Sequence, residues 1–436
     1  MKKVAFYTLG CKVNQYETEA MTELFENSGY ACVDFAEKAD VYVINTCTVT
    51  GLSARKSRQA IRKARAANST AVVAVVGCYP QTAPEEVGAM EDVDIMLGTR
   101  DRLRILDHIA EYESGGGRVK AVGDVMHDRS FEALNIDRYR DRTRAFLKIQ
   151  DGCSQFCSYC IIPYARGPIR SRLPAEVLCE VEKLASAGFR EVVLTGIHIA
   201  SYGRDLTDMS LLKLIEMVHG VGGIDRLRLG SIEPRIVTPE FAAAAGRLEK
   251  LCPHYHISLQ SGCDGTLRRM NRKYTAAGYR EVLALLRENV PDVAVSTDVM
   301  VGFPGETEEE FEATYAFLEA MKFSKMHVFK YSPRKGTPAA SCKNQVSGDV
   351  KEERSSRVLK LSEGHTLEFN TRFLGRKMPV LFEQEVKDRP GFYEGLTPNY
   401  IRVICPGNKG LEGNVAEVLL KAAVEEHIEG ELSGWL

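Results

Sequence analysis

No apolar run in this chain approaches the ~20 consecutive residues that a membrane-spanning helix needs. The opening Met1-Lys2-Lys3 leads straight into Val4-Ala5-Phe6-Tyr7, with no apolar core and cleavage site of a secretory leader. No membrane role is expected, and the cytoplasm is the expected compartment. Nor does one charge dominate: 57 Lys and Arg stand against 59 Asp and Glu, a formal net charge of −2. Any nucleic-acid binding must then use local patches rather than the field of the whole molecule. Cysteine, by contrast, is plentiful, with 12 among 436 residues. Without export signals, that usage points to metal or redox chemistry in a reducing compartment rather than to disulfides. The length predicts about three domains.

The chain is organised around Gln150-Asp151-Gly152-Cys153-Ser154-Gln155-Phe156-Cys157-Ser158-Tyr159-Cys160. Cys153, Cys157 and Cys160 have no fourth partner at a matching interval. A structural zinc site closes four ligands around its ion, and a cubane cluster takes one thiolate per iron. Three thiolates therefore leave one iron open to a substrate or second cofactor. A redox pair of Cys157 and Cys160, or three core cysteines, also fits the triple taken alone.

The motif resembles the Cys-x-x-x-Cys-x-aromatic-Cys signature of the radical S-adenosylmethionine (SAM) enzymes. Its continuation, Ile161-Ile162-Pro163-Tyr164-Ala165-Arg166-Gly167, is similar to that of the methylthiotransferases. The resemblance implies a 4Fe–4S cluster on Cys153, Cys157 and Cys160 whose open iron chelates SAM. It also places Tyr159 beside the adenine.

Ahead of this stretch, residues 1–114 alternate strand and helix. Strands are expected at Val4–Thr8, Val41–Asn45 and Ala71–Val76, and helices at Glu17–Asn27 and Ser53–Ala67. The continuous apolar run Ala71–Val76 suits a parallel strand buried on both faces. Such alternation predicts an open, doubly wound parallel sheet. Cys11, Cys47 and Cys78 each fall just past the carboxyl end of a strand, the edge where such sheets bind ligands. Small apolar residues at strand ends remain the plain alternative. Thr8-Leu9-Gly10-Cys11-Lys12-Val13-Asn14-Gln15, Asn45-Thr46-Cys47-Thr48-Val49-Thr50 and Val76-Gly77-Cys78-Tyr79-Pro80 resemble the amino-terminal domain of methylthiotransferases. That resemblance implies a second, auxiliary 4Fe–4S cluster, again with three protein ligands and one open iron, here for exogenous sulfur. The helix at Ser53–Ala67 carries Arg55, Lys56, Arg58, Arg62, Lys63 and Arg65 and no acid. It reads equally as a solvated face or a phosphate-contacting one.

Residues 115–140 read as a linker, opened by Gly115-Gly116-Gly117 and followed by alternating charge from Asp137 to Arg144. From 141 to 370 a second series follows, with strands at Ala145–Gln150, Glu191–Thr195, Arg226–Gly230, Tyr255–Gln260, Val293–Val301 and Met326–Ser332. Six such units suit the partial (β/α)6 barrel typical of radical SAM enzymes, with its chemistry at the carboxyl ends of the strands. By the same resemblance Gly196 offers a backbone contact to the SAM methionine, since the family's Gly-Gly-Glu is absent. Ser231 and Glu233 stand in the ribose-contacting segment. Gln260 and Asp298 are further SAM candidates, and Gly302-Phe303-Pro304-Gly305-Glu306 resembles the turn near the adenine. His198 reads as a structural histidine rather than an acid or base.

A long charged helix is expected at Val350–Glu368, then a small OB-like β-barrel over 371–436 with strands at Met378–Glu383, Tyr400–Ile404 and Val415–Leu420. It resembles the TRAM domain, an RNA-binding module, although only eight basic side chains face ten acidic ones from Arg372 onward. A structural or dimerising barrel is the alternative.

The resemblance thus covers nearly the whole chain. It implies an enzyme that replaces an unactivated C–H hydrogen with a methylthio group, using two 4Fe–4S clusters, SAM, an external electron donor and a sulfur donor of unknown identity. Lys12-Val13-Asn14, Phe156 and Tyr164-Ala165-Arg166 look most like the subfamily acting on N6-threonylcarbamoyladenosine in tRNA. Enzymes acting on isopentenyladenosine in tRNA, or on an aspartate of a ribosomal protein, are the alternatives, as is a non-catalytic iron–sulfur RNA-binding protein. The threonylcarbamoyl group carries a carboxylate, so its pocket needs a cation or several N–H donors. Arg166 is one candidate donor, with a structural role in that loop as the equal alternative.

Overall fold

The computed structural model describes residues 1–48, 51–134, 136 and 143–435. The first domain is built on a parallel sheet of β1 (Lys3–Thr8), β2 (Ala31–Val33), β3 (Val41–Thr46), β4 (Val72–Gly77), β5 (Ile95–Leu97) and β6 (Val119–Ala121), in the order β2-β1-β3-β4-β5-β6. The runs in β3 and β4 are apolar without alternation because both faces are covered. Tyr42, Ile44, Val73 and Val75 enter one core, and Val41, Val43, Val72 and Val76 the other. The helices α1 (Lys12–Asn27) and α2 (Gly51–Ala67) follow β1 and β3.

Strand β6 lies past residue 114, inside the stretch read as a linker. Val125, Leu134 and Ile136 from the same stretch are buried, the last two in the core of the second domain. Short length hid β6, since three residues are too few to show a period. The charged residues 137–142, and Val49 and Thr50 of the Cys47 motif, lie outside the described residues.

The second domain carries β7 (Arg144–Asp151), with the two-residue β8 (Arg170–Ser171) antiparallel at its edge, then β9 (Glu191–Gly196), β10 (Arg226–Leu229), β11 (His254–His256), β12 (Ala294–Val301) and β13 (Lys325–Lys330). Parallel pairing runs β7-β9-β10 and β11-β12-β13. The parallel bridge between Ile232 and Ile257 joins the two sheets. Six parallel strands in chain order make the expected partial barrel, with one continuous apolar core between strands and outer helices.

The long helix Gly348–Thr371, capped by the Ser347 hydroxyl, leads out of the barrel. Beyond it β14 (Lys377–Glu385), β15 (Phe392–Leu396), β16 (Arg402–Pro406), β17 (Val415–Val424) and β18 (His427–Trp435) close a small barrel in the order β14-β15-β16-β18-β17. Strands β15 and β18 are additions to the expected set, because glycine and glutamate interrupt their alternation. Among the described residues no helix is long and apolar enough to cross a membrane.

Candidate active site

Cys11 sits at the start of α1, Cys47 just past β3, and Cys78 opens the helix Cys78–Thr82 after β4. The motif residues around them tie the three loops together. The Asn14 amide donates to the carbonyls of Leu9 and Thr46 at 2.7 and 3.0 Å, and the Asn45 amide donates to the Asn14 carbonyl at 2.9 Å. The Thr46 hydroxyl donates to the Val76 carbonyl and accepts from the Tyr79 N–H. Gly10, at φ +108°, lets the first loop touch the second: a Cβ there would stand 3.0 Å from the Cys47 sulfur. Three separate βα loops thus converge on one rim.

At the carboxyl end of β7 the loop of Cys153, Cys157 and Cys160 is held by its backbone. The Cys153 N–H donates to the Gly167 carbonyl, and Ser158 is tied to Arg269, Met270 and Ala339. Arg272 donates to the Cys157 sulfur at 3.3 Å, while its guanidinium lies 4.8 Å over the Tyr274 ring. At the other triple, Nε of Arg166 donates to the Cys78 sulfur at 3.4 Å. A cationic N–H aimed at a sulfur in each triple fits an anionic iron–sulfur cluster, whose charge and potential such donors tune. Among the described residues no three Cys, His, Asp or Glu side chains gather around a single-ion site. Burial pushes the Cys153 thiol up to about 11 and the Cys160 thiol up to about 12, so loading them with iron must release protons.

The SAM candidates divide into two groups. Gly196, Ser231 and Asp298 line a cavity of about 800 Å³, within the usual ~300–1,000 Å³ range for small-molecule sites. Gly196 fits only as glycine, because a Cβ would stand 2.7 Å from the Gln150 carbonyl oxygen. Burial opposes ionisation of Asp298, but hydrogen bonding from His256, with Nε2 3.1 Å away, brings its carboxyl below the ordinary range.

Tyr159, Glu233 and Gln260 do not line this cavity. Tyr159 meets Phe303 edge-on at 6.4 Å, so the two adenine-candidate stretches pack on each other. Glu233 is held by Arg235 at 2.8 Å. Gln260, at φ +72°, bridges to β12 through its backbone N–H and carbonyl, each at 2.8 Å. His198 has its pKa lowered by burial to about 4 and hydrogen-bonds to the Ser201 hydroxyl at 2.6 Å, in keeping with a structural histidine.

The same cavity is walled by Cys11 and Lys12 of the first domain and by Tyr400 of the third. One chamber therefore joins the Cys11 loop of the first domain to the barrel's strand ends. Tyr400, at φ +70°, stacks on His254 with ring centres 4.3 Å apart, and Arg228 lies 4.7 Å over its ring. Arg226 and Arg228 donate to the carbonyls of Leu396, Pro379 and Pro398, which docks the small barrel against the larger one.

Of the two readings of Arg166, the structure favours the structural one. Its side chain is fully buried and spent on Glu17, Asn14 and Cys78, which leaves no donor for a substrate carboxylate. In α2, Arg58 binds the Tyr79 hydroxyl and Glu86, and Arg65 binds Asp94. Arg55, Lys56, Arg62 and Lys63 remain exposed. Arg272 and Tyr400 were missed because each arrives from a distant part of the chain without a local pattern. Lys12 stood within a quoted motif, but nothing in the sequence aims it at a cavity.

Residues 3–98 match the model of the "Uncharacterized protein family UPF0004", and residues 147–318 that of the radical SAM superfamily. The chain is 44% identical to the threonylcarbamoyladenosine tRNA methylthiotransferase MtaB of Bacillus subtilis, covering 99% of this chain and 96% of that one. It is 38% identical to the enzyme of the same name from Aquifex aeolicus, covering 96% and 100%. It is also 36% identical to a tRNA-2-methylthio-N(6)-dimethylallyladenosine synthase of Moorella thermoacetica, covering 99% and 98%. Among solved structures it resembles the radical SAM methyltransferase TsrM from Kitasatospora setae, with cobalamin and a [4Fe-4S] cluster bound. The TM-score is 0.57 at 18% identity, over 78% of this chain and 77% of that one, a likeness of fold.

Proposed function

The chain belongs to the radical SAM tRNA methylthiotransferases, and from that premise we infer that it adds a methylthio group to carbon 2 of N6-threonylcarbamoyladenosine, just 3′ of the anticodon. It is an enzyme that uses SAM and 4Fe–4S clusters. The observation that carries the reading is the single chamber onto which Cys11, Gly196, Ser231 and Asp298 all open.

In this reading Cys153, Cys157 and Cys160 hold the cluster that binds SAM, and Cys11, Cys47 and Cys78 hold the auxiliary one. When bound, SAM and the clusters supply the radical chemistry that an aromatic C–H demands, since that bond offers neither an acidic proton nor a leaving group. The chain's own residues bind and orient. Arg272 and Arg166 place cationic donors on one sulfur of each triple. Tyr159 and Phe303 form the apolar edge for the adenine. The Gly196 backbone and the side chains of Ser231 and Asp298 offer polar contacts to the rest of SAM. Glu233 and Gln260 hold the adjoining strand ends in place. Tyr400 narrows the chamber on the side of the small barrel. Electrons come from an external donor and sulfur from a separate source, in the cytoplasm where the tRNA is modified.

Mass spectrometry of tRNA nucleosides from cells with and without this protein tests the assignment. The 2-methylthio form of N6-threonylcarbamoyladenosine should disappear when the protein is absent. Its persistence, with loss instead of the methylthiolated dimethylallyl nucleoside, would overturn it.

A further inference from the structure

Every arginine and every other lysine lining the chamber is already paired. Arg144 donates to Glu383 at 2.7 Å, Arg228 to Glu191 at 2.6 and 3.2 Å, Lys325 to Glu426 at 3.0 Å and Arg402 to Glu394 at 2.7 Å. Lys12 is different. Among the described residues its ammonium has neither a hydrogen bond nor an ion pair; the Phe146 ring lies 5.6 Å away, and Tyr400, Arg144, Arg228 and Glu191 act on it only at longer range. An aromatic face offsets only part of what a half-buried ammonium loses on leaving water. Among those residues the chamber therefore holds one cation with its anion still to come.

The substrate brings such an anion. Its N6 substituent ends in the carboxylate of a threonine, whereas the rival dimethylallyl group is apolar. Carbon 2 and N6 flank N1 on the same edge of adenine. A base that turns carbon 2 toward the Cys11 loop thereby carries its N6 substituent to the adjoining wall, where Lys12 stands one residue on. Resting on the assignment of N6-threonylcarbamoyladenosine as substrate, we propose that Lys12 reads it, its ammonium taking the threonine carboxylate. Lys12 is then a specificity residue. The free carboxylate replaces the missing partner, and an apolar substituent leaves the ammonium unpaired, which discriminates against it.

The test uses the full chain, reconstituted with iron and sulfide, and anticodon stem-loops carrying either N6-threonylcarbamoyladenosine or its primary amide, in which the carboxylate is neutral. Binding and kcat/KM are measured for the wild type, Lys12→Met and Lys12→Arg. The wild type should prefer the acid by about 10- to 100-fold, the scale of a hydrogen bond to a charged group. Lys12→Met should lose that preference while binding the amide as the wild type does, and Lys12→Arg should keep most of it. Iron content reports any disturbance of neighbouring Cys11, and a variant short of iron is judged on binding alone. A wild type indifferent to acid and amide, or a Lys12→Met variant with full preference, overturns the proposal. A wild type that uses neither stem-loop but turns over the dimethylallyl one overturns the substrate assignment instead.

Discussion

The carboxylate of Glu17, on the helix that follows Cys11, accepts hydrogen bonds from the guanidinium of Arg166, at the end of the short helix Ile162–Arg166 that follows Cys160. Both side chains are fully buried, and Lys148 and Arg102 reach the same carboxylate at 2.9 Å each. This knot, beside the bond from the Thr99 hydroxyl to the Ala165 carbonyl, joins the first domain to the barrel between the two cysteine triples.

Removing the anion should therefore loosen the joint. Glu17→Gln leaves three buried cations short of their shared partner, at a cost of about 3–5 kcal/mol, measured as the urea midpoint of the transition that separates the domains. Burial alone would raise the Glu17 carboxyl, but Arg102, Arg166 and Lys148 bring it down to about 2 from an ordinary 4.5. A depressed folded-state value means the stabilisation is fully present above pH 4.5 and is lost as pH falls toward 2. The Gln variant should lack this part of the acid sensitivity. An unchanged acid limb would mean that the network contributes little.

Along α2 the exposed and the internally paired cations should separate. Charge reversal of Arg62 and Lys63 should weaken tRNA binding and reduce the slope of log K against log salt by about 1 for each phosphate no longer neutralised. Reversal of Arg58 should instead destabilise the domain, because that side chain serves Tyr79 and Glu86. An unchanged salt slope for the first variant would return the exposed face to a purely solvated role.

Tyr400→Ala should cost on the order of 2–4 kcal/mol in the docking of the small barrel, because it removes both the stacking on His254 and the aromatic face under the Arg228 guanidinium. Deleting the barrel outright would uncover Arg226 and Arg228 as well. The point substitution, followed by protease susceptibility of the joint, is thus the cleaner measurement. A joint as resistant as the wild type's would show that Tyr400 does not hold it.

The sequence carried the three-domain order because each domain repeats a period that its own residues display. Both cysteine triples were legible too, one by local spacing and the other because Cys11, Cys47 and Cys78 each end a strand of the same sheet. What could not be read were partners that meet only in three dimensions. Arg166 adjoins the cluster loop in sequence, yet its side chain turns to Glu17, 149 residues away. Arg272 reaches Cys157 across 115 residues, and Tyr400 reaches His254 from another domain. Lys12 was visible as a motif letter, but its lack of a partner among the described residues emerges only when the other cations around the chamber are seen to be paired.

Arg272→Met removes the N–H donor on Cys157 without touching a cysteine. Donors to cluster sulfurs stabilise the reduced, more negative state, so the midpoint potential of that cluster should move downward at unchanged iron content. An unmoved potential would assign Arg272 to packing against Tyr274.

The most direct measurement assigns the two triples different work. With N6-threonylcarbamoyladenosine tRNA, SAM and a reductant, the triple replacement of Cys153, Cys157 and Cys160 by alanine should release no 5′-deoxyadenosine and form no product. The triple replacement of Cys11, Cys47 and Cys78 should still release 5′-deoxyadenosine but transfer no methylthio group. Each variant should keep about half of the roughly eight irons of the intact protein. Normal methylthiolation by the second variant, or loss of all iron from either, would contradict the account.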